Sequence, residues 1–146
     1  PGRGRGARAG GLRGVMQHCG LAAALGLAIA VQAGAAADAP DARHGEAVYA
    51  RCLACHALAY DRVGPHHCGL IGRAAGSVPG FDYSAAMQHT KITWDERTLD
   101  RFLADPVKAV PGTSMTYAGV PDPRDRRDLI AYLKQANASP ACSASR

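Results

Sequence analysis

Cys52-Leu53-Ala54-Cys55-His56 concentrates more chemistry than any other five residues of this chain. Two thiols three positions apart can each form a thioether to one vinyl group of a single haem, while the imidazole that follows reaches the iron. Three other readings compete. A thioredoxin-like redox pair needs a strand and crossover around it, whereas residues 45–51 read as helix. A zinc centre needs a second ligand pair at finger or ribbon spacing, and His66-His67-Cys68 stands at the wrong separation. A plain disulfide between Cys52 and Cys55 is the third.

The segment upstream favours the haem reading. Residues 19–31 are an unbroken apolar run, and the small residues up to Ala37 offer A-x-A cleavage sites. Thirteen apolar positions fall short of the roughly 20 that a membrane-spanning helix needs. Residues 1–37 are therefore expected to be an N-terminal extension plus secretory signal, and residues 38–146 the mature domain. Covalent haem attachment takes place outside the cytoplasm, so an export signal and this motif belong together. The full chain carries 17 basic and 12 acidic side chains, a net charge of +5. Arg3, Arg5, Arg8 and Arg13 account for most of that excess; without the first 37 residues, 13 basic side chains face 12 acidic ones. The basic balance that would suggest nucleic acid leaves with the leader.

The 109 residues that remain after position 37 are enough for one domain and too few for a second. Their aromatics number only eight, a thin supply for the core of so small a unit, so something else is expected at its centre. Gly45, Val48, Tyr49 and Cys52 recur at helical spacing and lead straight into the motif. Residues 60–80 are broken by Gly64-Pro65, Gly69, Gly72, Gly76 and Pro79-Gly80, which reads as loop. Ser84 can cap a short helix through Gln88. Thr93-Trp94-Asp95-Glu96 has capping-box spacing before an apolar stripe of Leu99, Phe102 and Leu103 that ends ahead of Asp105-Pro106. A loop is expected over residues 107–120. Asp122-Pro123 opens a last helix with Leu129, Ile130 and Leu133 on one face to about Ala136, and Arg124, Arg126 and Arg127 on a solvated one. The expectation is an all-α domain, four short helices joined by long loops, with no strand.

A haem held by His56 needs a sixth ligand or an open position. Met87 reads as a core packer within a helix. Met115, in the loop Pro111-Gly112-Thr113-Ser114-Met115, has less structural reason to be there and is the preferred ligand. His44, His66, His67 and His89 are all read as exposed.

Over residues 45–136 the chain resembles the class I cytochromes c, the group of mitochondrial cytochrome c and bacterial cytochromes c2. The resemblance rests on an ordered series: the Cys52–His56 motif, Gly64-Pro65, Gly69-Leu70-Ile71-Gly72-Arg73, Pro79-Gly80-Phe81-Asp82-Tyr83, Ile92-Thr93-Trp94, the Met115 loop and Asp128-Leu129-Ile130-Ala131-Tyr132-Leu133. It implies the cytochrome c fold wrapped around one covalent haem c, with thioethers to Cys52 and Cys55 and iron bonds to His56 and Met115. It further implies that the Pro65 carbonyl accepts the other ring N–H of His56, and that Arg73, Tyr83, Trp94 and Thr113 surround the haem propionates. Such a protein is an electron carrier and not an enzyme.

The departures from that family are informative. Phe102 stands where a tyrosine hydroxyl often approaches the methionine sulfur, and Met87 replaces an asparagine; a more apolar pocket disfavours ferric haem and is expected to raise the potential. Lysines are sparse around the expected haem edge, where Val107 and Ser114 replace two of them. Cys68 and Cys142 have no counterpart, and a disulfide between them is expected to tie the loop below the haem to the C-terminal tail. The resulting expectation is a soluble periplasmic monohaem carrier of a bacterium, monomeric, docking to a reductase or dehydrogenase donor and an oxidase or similar acceptor, without nucleic acid and without membrane insertion once the signal is removed. The alternatives are a haem enzyme or gas-binding protein with an open iron site, and a haem subunit of a larger dehydrogenase complex.

Overall fold

The computed structural model describes residues 39–143; the leader and its cleavage site lie outside them. Helix α1 (Ala42–Tyr49) runs into a 3-10 turn at Ala50–Cys52, followed by a long loop. Then come α2 (Ala85–His89), α3 (Glu96–Ala104), α4 (Pro106–Ala109), α5 (Pro123–Asn137) and α6 (Pro140–Ser143). Among the described residues the only extended pairing is an isolated bridge between Ala74 and Thr93.

Local chemistry explains most of the helix starts. The Asp41 carboxylate accepts the N–H groups of Arg43 and His44 at α1, Ser84 accepts that of Met87 at α2, and Asp122 accepts those of Arg124 and Asp125 with Pro123 in the first turn of α5. Helix α3 departs from the sequence expectation. Its cap is Asp95, paired with Thr98 in a reciprocal box, and not Thr93 with Glu96. Thr93 is already engaged: it pairs with Ala74, and its carbonyl accepts the Thr98 hydroxyl at 2.8 Å.

There are six α-helical segments among the described residues rather than four. Asp105-Pro106 ends α3 as expected, but the same Asp105 accepts the Lys108 N–H and starts α4, in what reads as loop from sequence. Helix α6 is the second addition, and its Cys142 is joined to Cys68 by a disulfide with the Cα atoms 5.1 Å apart.

The core forms where α1 crosses α5 and α3 packs alongside. Val48 and Leu129 are each 1% exposed, and Tyr49, Leu99, Phe102, Ile130 and Leu133 are buried with them. Burying an aliphatic side chain of this size stabilises by about 1.5–3 kcal/mol. Arg126 also differs from its sequence reading. It does not sit on a solvated face: its Nε donates to Asp100 of α3 at 2.7 Å, and its Nη1 to the carbonyls of Val120 and Pro121. Helix α5 is thereby latched to α3 and to the segment that precedes it.

Candidate functional site

The 3-10 turn continues into the motif. The N–H groups of Cys55 and His56 both donate to the Cys52 carbonyl, at 3.1 and 2.9 Å. This winding brings Cys52, Cys55 and His56 to the wall of one cavity. Both cysteines are free thiols, and burial pushes the Cys52 thiol up.

The tautomer of His56 follows from its partner. Its Nδ1 lies 2.8 Å from the Pro65 carbonyl oxygen, which can only accept, so Nδ1 carries the proton and Nε2 keeps its lone pair. Burial lowers the pKa of His56 although the Pro65 bond works the other way. The site thus presents a neutral imidazole with one nitrogen ready for a metal.

The cavity measures about 220 Å³, and Cys52, Cys55, His56, Pro65, Arg73, Tyr83, Trp94, Thr113 and Met115 all line it. Leu70, Leu99, Phe102, Leu103, Leu129 and Leu133 supply an apolar wall. Arg73 donates Nη1 to the Cys68 carbonyl at 2.9 Å and Nη2 to that of His66 at 2.8 Å. A guanidinium has five N–H groups, so three remain for a carboxylate. The Thr113 hydroxyl accepts the Met115 N–H at 3.2 Å and keeps its own proton to give. Burial pushes the Tyr83 phenol up, so it is a donor at neutral pH. Trp94 is buried against Phe102, ring centroids 5.0 Å apart.

Met115 is partly buried on the loop after α4. Met87 is buried in α2, as its packing role requires, and it too reaches the cavity. Two thiols, an imidazole lone pair, a thioether and a set of hydrogen-bond donors, gathered on an apolar cavity, fit the needs of a covalently bound haem with its two propionates.

Sequence reasoning missed two contributors. His67 is not exposed but borders the cavity, its ring stacked on that of His56 at 4.4 Å and 21°. Its Nδ1 is 3.0 Å from the Tyr49 hydroxyl. Burial, with His56, Arg73 and His66 nearby, pushes its pKa down to about 3, so it is neutral. Gly64 is the second: a Cβ there would lie 2.3 Å from Cε1 of His56, and 2.6 and 2.7 Å from its two nitrogens. That near-equidistance puts it over the face of the ring. The one available signal was position, since both residues flank Pro65 closely in sequence. The other histidines are also engaged: His44 with Asp128, His66 with Asp61 and His89 with the Ala85 carbonyl.

The family profile described as Cytochrome c matches residues 42–137. Cytochrome c2 of Blastochloris viridis is 44% identical over 116 residues, covering 77% of this chain and 91% of that protein. Cytochrome c2 of Rhodomicrobium vannielii is 46% identical over 98 residues, 65% of this chain and 78% of that one. The solved structure of cytochrome cH from Methylobacterium extorquens superposes with a TM-score of 0.64 at 44% identity, over 65% of this chain and 98% of that one. The chain therefore belongs to the cytochrome c family, electron-transfer proteins that carry covalently attached haem c.

Proposed function

We propose that Cys52 and Cys55 would hold the haem by thioethers, that His56 and Met115 would supply nitrogen and sulfur to its iron, and that Pro65, Arg73, Tyr83, Trp94 and Thr113 would complete its surroundings. The observation that supports this reading is the convergence of all nine residues on one cavity from four separate segments of chain. Bound haem supplies a metal that gains or loses a single electron. His56 offers Nε2 because its Nδ1–H is committed to Pro65. Met115 would offer its sulfur from the loop after α4, on the same cavity. Held by both His56 and Met115, the iron would leave no position open to small molecules, and imidazole with thioether would favour a relatively high potential. The leucines and Phe102 exclude water, while Arg73, Tyr83 and Thr113 hold donors for the propionates.

The export leader, residues 1–37, delivers residues 38–146 to the bacterial periplasm, where the monomer carries electrons between a dehydrogenase or reductase and an oxidase or similar acceptor. Leu53, Val63 and Val107 are exposed, and residues 38–146 hold only three lysines. Docking on such a surface depends weakly on salt.

The test combines intact mass, a haem stain after denaturing electrophoresis, and absorbance of Met115→Ala. The mass of the mature protein should equal residues 38–146 plus one haem, less the two hydrogens of a disulfide. Met115→Ala should keep the stain, lose the weak far-red band that reports sulfur on ferric iron, lower the potential and bind carbon monoxide when reduced. An unchanged spectrum in Met115→Ala overturns the ligand assignment, and a mass without haem overturns the site.

A further inference from the structure

We infer that His67 is a positioning residue for the proximal imidazole: stacked on the ring of His56 and tethered to the Tyr49 hydroxyl, it fixes the plane in which His56 meets the metal. The inference rests on the reading of His56 as an iron ligand. A ligating imidazole has one freedom that its bond to the metal does not remove, rotation about that bond. The Pro65 carbonyl constrains one edge of the ring, through Nδ1 at 2.8 Å. Contacts on the face of a ring are what resist its turning. Gly64 supplies one, close enough to leave no space for a methyl group. His67 supplies another, its plane only 21° from that of His56.

A stacking partner can hold a ring only if it is itself held, and His67 is. Its N–H donates to the carbonyls of Ala57 and Leu58, both at 3.1 Å, and its carbonyl accepts from Nδ2 of Asn137 in α5 at 3.1 Å. The next residue is bound to Cys142 by the disulfide. The side chain is fixed by Tyr49 of α1, which is 3% exposed and meets the His67 ring edge-on at 5.6 Å. An aliphatic residue at position 67 would fill the space, but it would leave the Tyr49 hydroxyl without this partner and give His56 no parallel face to lie against. The Tyr49–His67–His56 contacts therefore connect the α1–α5 crossing to the orientation of the metal's ligand.

The experiment uses the ferric holoprotein and compares wild type with His67→Leu, Tyr49→Phe, His67→Phe and the double variant His67→Leu/Tyr49→Phe. Electron paramagnetic resonance g values and the order of the shifted haem-methyl proton resonances report the angle of the imidazole plane, and redox titration gives the potential. His67→Leu should keep the haem mass and the far-red sulfur band, yet change the g anisotropy, the methyl order and the potential. Tyr49→Phe should move the same signals the same way by less, and the double variant should match His67→Leu. His67→Phe, which restores a flat face, should recover part of the wild-type anisotropy. If His67→Leu only lowers the unfolding midpoint and leaves g values and methyl order as in wild type, His67 packs and does not position. Should His67→Leu fail to fold, Tyr49→Phe alone decides by the same signals. Absence of strongly shifted His56 ring protons in the wild type would instead overturn the ligand reading beneath the inference.

Discussion

Gly45 of α1 and Asp128 of α5 touch backbone to backbone: a Cβ on Gly45 would lie 1.9 Å from the Asp128 carbonyl oxygen and 2.9 Å from the Cβ of Tyr132. The same Asp128, fully buried, turns its carboxylate to the start of α1, accepting the Asp41 N–H at 3.0 Å and bonding Nδ1 of His44 at 2.9 Å. One residue of α5 thus sets both the separation and the register of the crossing on which the haem pocket is built.

Gly45→Ala sets two effects against each other. Alanine gains about 1 kcal/mol of helix propensity over glycine. Against it, the added methyl meets a backbone carbonyl that cannot rotate away, and overpacking of this kind costs about 1–3 kcal/mol or more. At 1.9 Å the helices must separate, so a net loss of about 2 kcal/mol is expected. Denaturant unfolding of the holoprotein measures it, and a variant as stable as wild type would contradict the close approach.

Asp128 gives the crossing a pH dependence. Burial alone would raise its pKa, but hydrogen bonds from the Asp41 N–H, His44 and Arg127 outweigh it and hold the carboxyl below the ordinary aspartate range. A depressed folded pKa contributes stability that is complete above the unfolded value of about 4 and is lost as pH falls through the depressed one. Asp128→Asn forgoes that contribution at every pH, so it should be less stable than wild type by about 2–3 kcal/mol near neutrality. The gap should close on acidification. Urea unfolding of both proteins at about pH 7 and about pH 3 checks the sign, since a gap that widens in acid would contradict it.

What was legible in the sequence was what is local. Cys52, Cys55 and His56 announce themselves by spacing, and Ser84 and Asp122-Pro123 mark helix starts because a cap acts within three residues. Thr93 misled because both T-x-x-E and D-x-x-T fit the capping pattern there, and the choice of Asp95 is made by Ala74, which pairs with Thr93 from nineteen positions upstream. Asp105-Pro106 is equally good as a stop and as a start, and the structure uses it as both. Arg126 carries no local sign that Asp100 and two carbonyls await it. His67 lies in a loop without periodicity, so nothing in its neighbours distinguishes a ring stacked on His56 from one in water. The Cys68–Cys142 pair was legible by parity and export, though not the consequence that the bridge lies next to His67.

The disulfide closes a loop of 74 positions, worth roughly 4 kcal/mol in the chain-entropy account. Cys68→Ser combined with Cys142→Ser should lower stability by about that amount while the haem mass is retained, because neither residue touches the cavity. Both cysteines are buried, so dithiothreitol should reduce the bond slowly in the native protein and quickly after unfolding. Thiol counting before and after denaturation reports this, and rapid reduction in the native state would contradict the burial.

Gly64→Ala tests the second contact on the His56 ring. The glycine cannot retreat: its N–H donates to the Cys55 carbonyl at 2.7 Å, and its own carbonyl accepts the Arg62 N–H at 2.9 Å. The new methyl would stand 2.3 Å from Cε1 of His56, inside any tolerable contact, so the ring must move. Moving it strains the Nδ1 bond to Pro65, and with it the presentation of Nε2. Cys52 and Cys55, the proposed attachment points, are not displaced by this change, so haem should remain attached and the mass should rise only by the added methylene. Stability should fall by about 1–3 kcal/mol from overpacking, and, with His56 and Met115 as the proposed ligands, the reduced protein should bind carbon monoxide faster than wild type. A variant with the wild-type spectrum, potential and carbon monoxide rate would mean that the imidazole has room this packing denies it.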